Sequence, residues 1–118
     1  MRFNEEGLLL EMISLLDDLE RAIEAAGESG ASEAWVQGVR LVANRMSDLL
    51  ARRGVTPLDP VGETFDPQFH EAMLEMDAPE SVVPGQIVQV VRKGYRRGGR
   101  ALRPARVVVA RRAAAGGS

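Results

Sequence analysis

The chain has no cysteine, which excludes disulfides, thiolate metal sites and cysteine nucleophiles and is compatible with a reducing compartment. It has one histidine, His70, so no two-histidine metal site forms within a single copy. Aromatic residues make up only 4% of the sequence, which leaves a thin stacking surface for single-stranded nucleic acid. No apolar run approaches the roughly 20 residues of a membrane helix, and Met1-Arg2-Phe3-Asn4-Glu5-Glu6 does not open a secretory signal. A cytoplasmic location is the expectation. Acidic residues are missing beyond Glu80. All 17 lie in 1–80 beside six basic ones, net −11, whereas 81–118 carry nine basic residues. Such a split suits a basic end that meets nucleic acid or the acidic surface of a protein.

What is present is an ordinary soluble composition, 45% hydrophobic and 27% charged over 118 residues, enough for one core or two very small ones. From Leu8 to Ala26 the apolar residues Leu9, Met12, Leu16, Leu19, Ile23 and Ala26 recur at intervals of three and four, which predicts an amphipathic helix. Leu8, Leu15 and Ala22 widen its stripe, and Gly27 is placed to end it. Ser32 is the expected N-cap of a second helix, with Trp35, Val39, Val42, Met46 and Leu49 at the same spacing and Leu50 beside them. Arg52-Arg53-Gly54 closes it. Each apolar face is too wide for one partner helix to cover. Self-association of the helical hairpin into a dimeric four-helix bundle is therefore expected.

Residues 55–80 read as irregular, because Pro57, Pro60, Pro67 and Pro79 each disfavour helix in the residue before them. Asp66 is positioned to cap a turn at Pro67, with Phe65 and Phe69 tucked in where helices and sheet meet, and Ala72 to Met76 as a short strand. Gly85 to Ala110 reads as one β-hairpin. Val88 and Val90 fall on one face, Ile87, Val91 and Tyr95 on the other, with Arg96-Arg97-Gly98-Gly99 as the turn. The fold class expected is α+β, with a helical dimerisation unit at 1–54, a β-domain at 55–112 and a disordered or vector-derived tail at 113–118. No catalytic constellation, metal site or cofactor site emerges. Asp66, His70 and Glu71 lack a nucleophile and an oxyanion site, and Gly98-Gly99 lacks the Lys-Ser/Thr of a phosphate loop. His70 fits better as a hydrogen-bond partner of the Asp-Pro turn than as a base.

The order of a helical pair ending in Arg53-Gly54-Val55, then Gly62-Glu63-Thr64-Phe65-Asp66-Pro67-Gln68-Phe69-His70-Glu71-Ala72, Val83-Pro84-Gly85, Lys93-Gly94-Tyr95 and Gly99-Arg100-Ala101-Leu102-Arg103-Pro104-Ala105-Arg106-Val107-Val108-Val109, closely resembles the GrpE family. These are nucleotide exchange factors of DnaK-type heat-shock chaperones. The resemblance implies a homodimer whose bundle carries a β-wing that touches the chaperone's nucleotide-binding domain. On matching positions it points to Gly54, Phe65, Pro67, Val91, Arg100 and Val109 as chaperone contacts. Gly54 also reads as a helix stop, and Val91 and Val109 as sheet core. The family's long paired N-terminal helix precedes what is Met1 here, so a short or truncated form is expected. A dimeric nucleic-acid-binding module using the Arg-rich hairpin is the alternative reading.

Overall fold

A computed structural model describes residues 4–112, so the tail reading for 113–118 lies outside the described residues. The chain divides between Gly54 and Val55 into two compact units.

The first unit is a pair of helices, α1 (Glu5–Glu28) and α2 (Glu33–Arg52). Helix α1 starts where Asn4 Oδ1 accepts the Gly7 N–H at 3.0 Å, with Glu5 and Glu6 facing the positive end of the helix dipole. It runs through Gly27, contrary to the expected stop. Gly27 is followed by Glu28 still in helix, and the reversal occurs at Gly30, whose φ is 78°. Ala31 N–H reaches back to Ala26 O and Gly30 N–H to Gly27 O, the paired bonds that close a helix over a left-handed glycine. Ser32 caps α2 by accepting from Trp35 N–H at 3.3 Å. Gly54, with φ 81°, follows its end and donates to Ala51 O.

The two helices bury Leu9, Ile13, Leu16 and Ile23 of α1 and Ala43 and Leu50 of α2. Ile13 is fully buried, although the spacing read from sequence passes over it in favour of Met12. A second apolar stripe lies one residue over and is left uncovered among the described residues. Leu8 and Leu15 stand exposed on α1, and Trp35, Val42 and Leu49 on α2 at intervals of seven. Leu15 is 60% exposed and Trp35 51%. Leu8, Met12 and Leu49 also line one shallow groove, so stripes from both helices share a side. Of the ten residues expected at a dimer interface, Leu9, Leu16 and Ile23 are thus buried by their own chain. Met12, Leu19, Val39 and Met46 are half-buried, and Trp35, Val42 and Leu49 remain open.

The second unit holds six strands, β1 (Val55–Pro57), β2 (His70–Asp77), β3 (Ile87–Arg92), β4 (Tyr95–Arg97), β5 (Arg100–Arg103) and β6 (Ala105–Arg111). They form two three-stranded sheets, in the orders β1-β4-β5 and β2-β6-β3. The single hairpin expected over 85–110 is therefore two ribbons in different sheets. It breaks at Lys93-Gly94 and again at Pro104, which has no N–H to continue a ladder. The turn is shorter than expected: Arg97 pairs with Arg100, so Gly98-Gly99 alone make it, Gly98 taking φ 64°. In the other sheet β6 is central, antiparallel to β3 and parallel to β2.

Two register shifts in β3 undo the alternation read from sequence. Val90, not Val91, joins Ile87 against the core, and Val91 is 54% exposed. That core is Ile87, Ala105, Val107 and Val109, with Leu58, Phe65 and Val90 packed onto it. The stretch expected to be irregular contributes β1, whose Pro57 is tolerated on an edge strand, and a bridge from Thr64 to Gln86. It also lends backbone bonds to the start of β3, with Gly62 N–H donating to Ile87 O and Ile87 N–H to Glu63 O.

Candidate functional site

The positions singled out in the β unit are held by two local devices. The first is the turn at Asp66-Pro67. Asp66 Oδ1 accepts the Gln68 N–H at 2.9 Å, and Asp66 O accepts the N–H groups of Phe69 and His70. His70 is buried and returns the contact, its Nδ1 accepting the Asp66 N–H at 2.9 Å. That nitrogen carries no proton in this arrangement, so the ring serves the turn. Glu71 meets Arg106 at 3.4 Å. The three residues weighed as a hydrolytic group are thus engaged in holding the fold. Asp66→Ala is expected to cost about 1 kcal/mol, the size of one lost capping bond. Urea unfolding followed by the Tyr95 signal measures it, and an unchanged midpoint would show the turn to be held by its other bonds.

The second device carries the hairpin. Arg103 is buried, with its guanidinium 5.5 Å from the Tyr95 ring centre and Nε and Nη2 both donating to Lys93 O. This pins β5 to the junction where β3 gives way to β4. Arg96 lies over the Phe69 ring at 5.3 Å and donates through Nε to Gly98 O, tying the turn to the Asp66 loop. Between these two devices sits a cleft of about 260 Å³ lined by Leu58, Glu63, Asp66, Phe69, His70 and Arg96. Sequence reasoning missed the roles of Arg96 and Arg103. Their spacing gives no periodic signal, and each depends on a ring remote in sequence or across a strand.

The six expected contact residues separate into three groups. Phe65 and Val109 belong to the core, and Phe65 also lies 5.9 Å from the His70 ring. Pro67, Val91 and Arg100 present side chains to solvent, Arg100 opening β5 directly after the turn. Gly54 lies at the end of α2 in the other unit. At the far end of β2 and β6, Arg111 Nε donates to Asp77 Oδ1 at 2.9 Å. That bond, with the attraction of the same carboxylate, holds the guanidinium above its ordinary range. Among the described residues no cluster of three metal-ligating side chains occurs, and no helix is long and apolar enough to cross a membrane.

A helical hairpin with an open apolar face, joined to a two-sheet β unit whose arginine-bearing hairpin is braced from beneath, defines a modular α+β protein whose notable features are surfaces. The GrpE family matches residues 1–111, and the chain belongs to that family. It is 44% identical over 112 residues to Protein GrpE of Chromohalobacter salexigens, covering 95% of this chain and 52% of that protein. Protein GrpE of Aeromonas hydrophila is 38% identical over 111 residues, covering 93% and 58%. Protein GrpE of Syntrophobacter fumaroxidans is 40% identical over 114 residues, covering 94% and 58%. The chain therefore spans about half the length of the curated relatives it matches.

Proposed function

We propose that this chain is the chaperone-docking part of a co-chaperone that exchanges ADP on a DnaK-type chaperone. The observation that carries the reading is the family match, which spans both units. The β unit would bind one lobe of the chaperone's nucleotide-binding domain best when that lobe has swung outward, favouring an open cleft that holds ADP poorly. Pro67, Val91 and Arg100 would make the contact, Phe65 and Val109 would support it from the core, and Gly54 would set the end of α2. No bond is made or broken by this protein, and it needs no cofactor. Linkage makes the effect reciprocal: nucleotide that tightens the closed cleft must weaken the co-chaperone. Co-sedimentation with a DnaK-type chaperone should show a complex without nucleotide that ATP dissolves. A complex indifferent to ATP would contradict the reading.

The open stripe on the helices supports a homodimer. Leu8, Leu15, Trp35, Val42 and Leu49 form an apolar surface that a second copy would bury in a four-helix bundle. Val42→Asp should halve the mass found by sedimentation equilibrium while keeping helical circular dichroism, because Val42 is exposed in the single chain. Retention of the wild-type mass would place the interface elsewhere. The nucleic-acid alternative is not favoured: Arg96 and Arg103 are occupied with Phe69, Tyr95 and backbone carbonyls.

A further inference from the structure

Strand β2 is an edge of its sheet, and every residue after His70 is exposed. Its inner edge pairs with β6; among the described residues no strand pairs with its outer edge. An eight-residue strand in this position offers a row of backbone N–H and C=O groups that only another extended chain can match. Its side chains are unusual for such an edge. Met73, Leu74 and Met76 are all exposed, Leu74 at 64%. They are interspersed with Glu71, Glu75 and Asp77, and Glu80 follows. Arg106 and Arg111 of β6 offset two of these carboxylates, which leaves the rim net acidic.

We propose that the outer edge of β2 binds an extended, unfolded polypeptide segment in which apolar residues accompany Lys or Arg. Backbone pairing supplies affinity that does not depend on sequence. Flexible, polarisable methionines flanking Leu74 accept varied apolar side chains. The carboxylates select cations opposite them, since opposite charges across a strand pair are favourable and like charges are not. The same charges disfavour a second copy as occupant. An antiparallel pairing of two β2 strands centred on Glu75 sets that carboxylate, which is in neither ion pair, against the other copy's Glu75. The bulge between Ala72 and Leu74 further roughens the edge against self-pairing. The occupant is thus an unfolded chain of basic and apolar character, and the site is separate from the Arg100 hairpin, which lies in the other sheet.

The test needs no chaperone, so its outcome is independent of nucleotide exchange. A labelled short peptide alternating Val and Lys is titrated with the protein and followed by fluorescence anisotropy. Binding should saturate and exceed that of the matching Val and Glu peptide by about tenfold. N-methylation of alternate peptide amides should abolish it, because the pairing edge is lost. Leu74→Lys, which removes the apolar contact and sets like charges against the peptide, should weaken binding by a similar factor with circular dichroism unchanged. The proposal is overturned if no saturable binding occurs, or if the N-methylated peptide binds equally. It is also overturned if Leu74→Lys instead lowers the protein's own mass in sedimentation, which would assign the edge to a second copy.

Discussion

Gly94→Ala is expected to destabilise the β unit by about 3 kcal/mol, the upper range for forcing extra volume into a packed site. Gly94 is buried at the point where β3 gives way to β4. A Cβ built there meets Ala105 N at 2.3 Å, Ala105 Cα at 2.8 Å and Ala105 Cβ at 2.9 Å. Two of those three atoms are backbone, so no side-chain rotation relieves the clash. The first residue of β6 would have to move, and with it the Ala105 N–H bond to Phe69 O. Gly94 O also accepts the Leu58 N–H at 2.9 Å, so displacement loosens the packing of Leu58 on the core. The single tryptophan lies in α2 and the single tyrosine in β4, which separates the readouts. In urea the Tyr95 signal should shift to lower denaturant while Trp35 reports the helices. A Tyr95 midpoint equal to wild type would show that the close approach does not constrain the fold.

Arg100→Ala is expected to weaken binding to a DnaK-type chaperone by about 30-fold, the loss typical of an interface hot spot. Arg100 is exposed at the start of β5, pairs through its backbone with Arg97, and follows a turn braced by Arg96. Removing an exposed side chain there leaves the core of Ile87, Ala105, Val107 and Val109 untouched, so stability should change little. Arg100→Lys should recover only part of the affinity, because an ammonium cannot reproduce a two-pronged guanidinium contact. Calorimetric titration measures all three proteins. Equal affinity across them would remove Arg100 from the docking surface, and a lost Tyr95 unfolding transition in the alanine variant would make its role structural.

The helices were legible because their apolar residues recur at three and four with capping residues at Ser32 and Gly54. What the pattern could not separate was which of two adjacent stripes faces inward. Leu8 and Leu15 are as apolar as Leu9 and Leu16, and only the partner helix decides between them. Ile13 was passed over because Met12 fits the same period one position earlier. The stop at Gly27 misled because two glycines lie within four residues there, and only Gly30 takes the left-handed conformation.

The β unit was less legible, since its pairings are distant in sequence. Nothing local to Ala72–Met76 says that it lies parallel to β6. The apolar runs on either side of Tyr95 look like one ribbon, and the bulges that turn Val91 outward leave no compositional trace. The Asp66-Pro67 turn was readable because Asp and Pro each impose their geometry within a few residues. For the same reason the bond from His70 to that turn was expected and found. Arg100 could be singled out only through its place in the family pattern, since any of several arginines near the turn would satisfy a charge argument.

The most direct measurement is release of a fluorescent ADP from a DnaK-type chaperone in stopped flow, with rising concentrations of this protein. The release rate should climb to a plateau many-fold above the spontaneous one. Each tenfold gain reflects about 1.4 kcal/mol of preferential binding to the open cleft. A release rate unchanged at concentrations where the complex is shown to form would contradict it.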